Sequence, residues 1–165
     1  MKIDLAERHI LNRLDGELAP QYVYHDASHT RDVYAAVQLI AAQEQITGKP
    51  LQWLLTAALL HDTGFLVQAA GHEQLSCEIA KDLLPQFAYT PQDITAVCEL
   101  IMATVMPQHP ENILQQILCD ADLDYLGRED FHTRSRLLYE EMWLLGTINS
   151  RDEFETMQLN FLRNH

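Results

Sequence analysis

Apolar residues along this chain recur at three- and four-residue spacing and nowhere in the strict alternation of a half-buried strand, so the pattern predicts helix after helix. Leu5, Ile10, Leu11, Leu14 and Leu18 mark the buried stripe of a first helix over about 4–18, which Pro20 stops. A second runs over about 24–46, with His29, Val33, Ala36, Val37 and Ile40 along one face. Gly48 and Pro50 then break the chain, and Pro50 opens a third helix, 51–61, that is apolar nearly all round and therefore central to the core. Gly64 ends it just past His61 and Asp62. A fourth helix covers about 72–84, and Thr90, Pro91 and Asp93 form a capping signature for a fifth over 94–105. Pro107 and Pro110 bracket a loop that holds His109. The sixth, 112–126, carries Leu114, Ile117, Leu118, Ala121 and Tyr125; a seventh follows over 129–145; Ser150 and Glu153 cap an eighth that ends near 162. The expected fold is all-α, one domain over 1–165 built as a bundle of about seven or eight helices, without repeats, low-complexity tracts or linkers.

Composition narrows what such a bundle can do. With 165 residues, 47% hydrophobic and 21% charged, the chain has the profile of one soluble domain with a full-sized core. Its net charge is −13 and its 11 basic residues are scattered singly apart from Arg134 and Arg136, which excludes polymeric nucleic acid as a partner. A small anionic substrate would be repelled by the global field, so a local positive centre such as a metal has to hold it. Cys77, Cys98 and Cys119 lie in helical apolar surroundings with no C-x-x-C pair and read as buried thiols of a reducing compartment. The first 13 residues mix charge with apolar residues and are no signal peptide, and no apolar run is long enough for a membrane; a cytoplasmic location is expected. Oligomeric state is not readable.

The chemistry sits where polar residues interrupt the apolar faces. His25 and His29 fall one turn apart on the expected second helix, and the stripe running on from His29 turns its ring inward, where a polar group needs a partner. His61 and Asp62 stand at the end of the third helix. Asp122 flanks the stripe of the sixth beside Leu118 and Tyr125, whereas Asp120 and Asp124 lie on the other flank. Three helices thus each bring His or Asp to the core side, and uncompensated buried carboxylates are costly enough to call for a cation. Two imidazoles and two carboxylates suit a divalent transition ion and leave coordination positions for water and substrate.

At these residues the chain resembles the HD superfamily of metal-dependent phosphohydrolases, all-helical proteins that use the order His, His-Asp, Asp. His29, His61, Asp62 and Asp122 match that order, L-L-H-D-T-G at 59–64 and D-A-D-L-D-Y-L-G at 120–127 are similar to the second and last motifs, and the likeness covers about 24–126. The resemblance implies an HD-type bundle whose C-terminal helices, 129–162, pack on that core. Of the last motif's aspartates, Asp122 rather than Asp120 is taken as the ligand, because it follows the alanine as in the family and lies nearer the apolar face. Tyr24, His25, His29, Asp32 and Val33 also match the Y-H-N-x-x-H-x-x-D-V motif of cyclic nucleotide phosphodiesterases of the same superfamily. Asp26 occupies the asparagine position, and no glutamine and aromatic clamp for a nucleotide base is found.

What the resemblance implies is metal-assisted hydrolysis of a small phosphate ester, a nucleotide or cyclic nucleotide. The ion, which the sequence does not distinguish among Mn, Fe, Zn, Ni, Co and Mg, and of which there are one or two, polarises the phosphoryl oxygen and lowers the pKa of bound water to roughly 7. His29, His61, Asp62 and Asp122 are the expected ligands, with Asp62 also orienting the water or bridging two ions. His25, carried over from the phosphodiesterase motif, protonates the leaving oxygen. His72, opening G-H-E-Q-L-S, resembles the extra histidine that binds a second metal or a substrate phosphate in some HD proteins, and His109 is a second candidate for that task. His9, His132 and His165 are read as structural or surface residues, and Arg31 and Lys81 as solvated. Two other classes stay open: a di-iron oxygenase with extra histidines on a second iron, and a non-catalytic sensor or binding module that keeps the metal for stability.

Overall fold

The computed structural model describes residues 1–164; His165 lies outside the described residues. These fold as eight α-helices, α1 (Ile3–Glu17), α2 (Ala27–Gln43), α3 (Gly48–Leu60), α4 (His72–Leu83), α5 (Pro91–Met102), α6 (Ile113–Asp122), α7 (Phe131–Leu144) and α8 (Arg151–Asn164). Short 3-10 turns follow α3, α4 and α6, and there is no strand among the described residues. None of these helices is long and apolar enough to cross a membrane.

α3 is the axis of the bundle, as its all-round hydrophobicity predicts: every residue from Leu54 to Leu60 is buried. Ala6, Ile10 and Leu14 of α1, Val33 and Val37 of α2, Val97 and Ile101 of α5, and Ile117 and Leu118 of α6 belong to the same core. Each fully buried Leu, Ile or Val side chain contributes about 1.5–3 kcal/mol. Conformational entropy of similar total size opposes that sum.

Caps decide where the helices begin. Thr90 and Asp93 form a reciprocal capping box, so α5 opens at Pro91, three residues before the expected start. Asp26 Oδ1 accepts from the His29 backbone N–H at 2.9 Å and opens α2 at Ala27, not at Tyr24. His25 therefore lies before the helix, and the one-turn offset expected between His25 and His29 does not exist. The same bond explains why aspartate serves at the motif's asparagine position: either side chain caps. α3 opens at Gly48, so that Pro50 falls inside its first turn, and α6 stops at Asp122, with the expected last turn taken up by the 3-10 segment Asp124–Gly127.

Candidate metal centre

Three chain segments converge at the ends of α3 and α6 and the start of α2. His29 is on the first turn of α2, 3% exposed, His61 follows the last turn of α3 and is 1% exposed, and Asp122 is the last residue of α6. Ligand atoms of His29, His61 and Asp122 all lie within 4.8 Å of one another. His29 Nε2 is 3.2 Å from Asp122 Oδ1 and 3.4 Å from Asp62 Oδ2, and His61 Nε2 is 3.1 Å from Asp62 Oδ2 and 3.4 Å from Asp122 Oδ1. Asp120 is exposed, so of the two aspartates it is Asp122 that reaches the cluster.

The hydrogen bonds around the cluster set which way its lone pairs face. His61 Nδ1 is 2.9 Å from the Ala58 carbonyl, an acceptor only, so Nδ1 carries the proton and Nε2 turns its lone pair toward the carboxylates. His61 Nε2 and Asp62 Oδ2 are buried and, among the described residues, have no hydrogen-bond partner. A lone pair facing a carboxylate oxygen in a buried site is repulsive unless a cation or a proton comes between them. Burial penalises charge on all three groups. For His61 the Asp62 and Asp122 carboxylates outweigh that penalty and raise the pKa well above the usual imidazole value, while the histidines hold Asp62 and Asp122 well below the usual carboxylate range. The donor set and its electrostatics fit a divalent ion.

The turn carrying His61 and Asp62 is locked from α4. Ser76 Oγ donates to the His61 carbonyl at 2.7 Å and accepts from the Gly64 N–H at 2.8 Å. A Cβ at Gly64 would sit 1.9 Å from the His72 carbonyl oxygen, so only glycine permits this approach, which brings His72 Nε2 to 3.3 Å from Asp62 Oδ1. The two oxygens of Asp62 thus face opposite ways, one to His29 and His61, the other to His72. Phe65 lies between two candidate residues, its ring stacked on His25 at 4.4 Å and on His72 at 4.1 Å between centroids.

His25 has a partner that the sequence did not reveal. Glu141, 1% exposed on α7, accepts the backbone N–H groups of Tyr24 and His25 through Oε2, at 2.8 and 3.0 Å, and is bonded to His25 Nδ1 through Oε1. Burial opposes a charged His25 ring, but the Glu141 bond and the Asp62 and Asp122 charges raise its pKa above the ordinary value of 6.5. With Nδ1 committed to Glu141, Nε2 is the nitrogen left for chemistry. Arg134, also buried, lies over the Tyr24 ring and pairs with Asp32 at 3.1 Å, which assigns the motif's Asp32 a structural task.

His109 is exposed, and among the described residues it makes no hydrogen bond or ion pair; its neighbour Gln108 instead donates to Asp122 Oδ2 at 3.3 Å. Gln158 and Phe161 of α8, which the sequence reading did not single out, line a chamber together with Tyr24, His25 and Asp122. Their one-turn spacing on α8 was the available signal. Glu141 also had one, a carboxylate on the inward face of α7 in step with Arg134 and Leu138.

Comparison with known proteins follows the same residues. The family model described as HD domain matches residues 26–125. Among solved structures, the chain is similar to a predicted HD superfamily hydrolase from an uncultured Thermotogales bacterium, at 24% identity over 95% of this chain and 89% of that one, with a TM-score of 0.62. None of the curated proteins matches the chain.

Proposed function

The chain belongs to the HD domain family, and from that premise we propose that it is a metal-dependent phosphohydrolase acting on a small phosphate ester. The observation that carries the reading is the pair of buried, unbonded lone pairs on His61 Nε2 and Asp62 Oδ2 facing each other at 3.1 Å beside a histidine held by a buried glutamate. His29, His61, Asp62 and Asp122 would hold the ion. When bound, the ion supplies Lewis acidity toward a phosphoryl oxygen and toward water. In the net reaction a water oxygen ends on phosphorus, the ester P–O bond breaks and the departing alcohol takes up a proton.

The chain's own residues divide that work. His25, protonated and kept so by Glu141, delivers the proton to the leaving oxygen from Nε2, and Glu141 fixes its ring and tautomer. Asp62, besides its share in holding the ion, would orient the attacking water. His72, 3.3 Å from Asp62 Oδ1, would serve a second ion or a phosphate oxygen. Phe65 stacks on both His25 and His72 and keeps their rings near parallel to its own. The likeness of the first motif to that of cyclic nucleotide phosphodiesterases raises a nucleotide as one candidate ester, and the walls beside the centre decide whether it is accepted.

The contact between His72 and Asp62 also supports a second reading, a di-iron oxygenase with its second iron there; iron content, colour on oxidation and oxygen uptake separate the two. Purified protein, its metals quantified, is screened for phosphate release from phosphomonoesters, cyclic nucleotides, nucleotides and aryl phosphates. Metal-dependent release is the expected result. Full metal occupancy without release from any ester would overturn the phosphohydrolase reading and leave the oxygenase or a metal-stabilised binding module.

A further inference from the structure

A chamber of about 280 Å³ opens beside the centre, with His25 and Asp122 in its wall. Its other walls come from the loop before α6 and from α6, α7 and α8, and Met106, Leu123, Leu138, Phe154, Met157 and Phe161 supply most of them. None of the chain's eleven Lys and Arg residues lines it. Its one amide, Gln158, is already turned onto the Ser135 hydroxyl, its Nε2 donating to Oγ at 2.8 Å and its Oε1 lying 3.1 Å from the same oxygen. A larger groove of about 450 Å³ on another side of α8 shares Phe154 and Gln158 but contains none of the cluster residues.

These walls have a consequence for whatever enters with its phosphate on the centre. An apolar wall rewards burial of hydrocarbon and gives nothing to hydroxyls or ring nitrogens, which lose their water without replacement. With no Lys or Arg among the lining residues and His25 engaged at the leaving oxygen, a second phosphate stays unneutralised next to Asp122, in a chain of net charge −13. The volume lies just under the range of about 300–1,000 Å³ usual for small-molecule sites, enough for one ring system. We infer that the chamber selects a single-phosphate ester of a compact, uncharged, apolar alcohol or phenol, and disfavours nucleotides and polyphosphates. This inference rests on the phosphohydrolase reading and narrows its substrate class.

The three monoesters compared are those of primary alcohols, so that their leaving-group chemistry is similar; the diphosphate, an anhydride with a better leaving group, and the diesters are read by binding as well as by turnover. Benzyl phosphate, methyl phosphate, adenosine 5′-monophosphate and adenosine 5′-diphosphate are assayed for kcat/KM on Mn²⁺-supplemented protein, with dibenzyl phosphate and cyclic adenosine monophosphate as the diester pair. Benzyl phosphate should exceed methyl phosphate by roughly 30- to 100-fold, from burial of one ring, and should exceed both adenosine esters. Met157→Lys, at a position 39% exposed and tolerant of charge, should cut the benzyl-to-methyl ratio about tenfold. Calorimetry with phenylphosphonate, the adenosine phosphates and the diester pair gives a readout independent of turnover, the phosphonate binding tighter than the adenosine phosphates. Equal or better turnover or binding of the adenosine compounds would overturn the inference and leave the phosphohydrolase reading intact. No release from any ester with the metal bound would overturn both.

Discussion

Removal of the Glu141 carboxylate is the perturbation with the most definite consequences, because three donors converge on this one buried side chain. Glu141→Ala leaves the Tyr24 and His25 backbone N–H groups and the His25 ring without their acceptor. Breaking a buried charged pair by deleting one partner costs about 3–5 kcal/mol. His25 is 23% exposed and recovers part of that from solvent, so about 3 kcal/mol is expected. Glu141→Gln keeps the volume and one acceptor oxygen. It exchanges a charge-assisted bond for a neutral one, at about 1–2 kcal/mol. Urea unfolding measures both.

The pH dependence has a fixed sign. The Glu141 pKa is lowered from its ordinary 4.5: burial opposes this, and the His25 bond outweighs burial. Its contribution is present above that ordinary value and lost as pH falls through the lower folded one. The His25 pKa is raised from 6.5, so its contribution is complete below 6.5 and is lost as pH rises through the higher folded value. The difference between parent and Glu141→Gln is therefore largest between these two ordinary values and shrinks on the alkaline side. Turnover of esters with poor leaving groups should fall by about 10²-fold in Glu141→Gln, since the acid is no longer kept protonated. A destabilisation by Glu141→Ala below about 1 kcal/mol, or one unchanged by pH, would refute this account of the pair.

His29→Ala, His61→Ala, Asp62→Ala and Asp122→Ala should each lose most bound metal by elemental analysis, whereas Asp120→Ala keeps it; a chelator should lower the melting temperature of the parent but hardly that of Asp122→Ala. Ordinary metal content in all four variants would refute the site. His25→Ala should retain metal while turnover falls by about 10² to 10⁴, and far less with a nitrophenyl ester, whose leaving oxygen needs little protonation; loss of metal would make His25 a ligand. Gly64→Ala, with a Cβ 1.9 Å from the His72 carbonyl oxygen, should cost about 3 kcal/mol and separate His72 from Asp62, and a parental melting curve would contradict the close approach.

Residues whose burial conflicts with their chemistry were readable in advance. His29 interrupts an apolar stripe, His61 and Asp62 end the most apolar helix, and Asp122 flanks another stripe, so periodicity alone marked them as buried polar groups needing a partner. The place of His25 was misread because a local cap, not the apolar period, decides where α2 starts, and Asp26 caps through the backbone of His29. Gln108 rather than its neighbour His109 reaches Asp122 because a proline-bounded loop has no period from which the direction of a side chain follows. Glu141 stands 116 residues from His25, and its inward face on α7 acquires meaning only once α7 is known to cover the turn before α2. The same holds for Gln158 and Phe161, which meet the centre only through the placement of α8. The residues of the metal centre thus come from the helices that build the core and obey its pattern. Glu141, which holds the His25 ring, and much of the chamber wall come instead from the two C-terminal helices, where long-range packing decides, so that a substitution there should leave His29, His61, Asp62 and Asp122 in place.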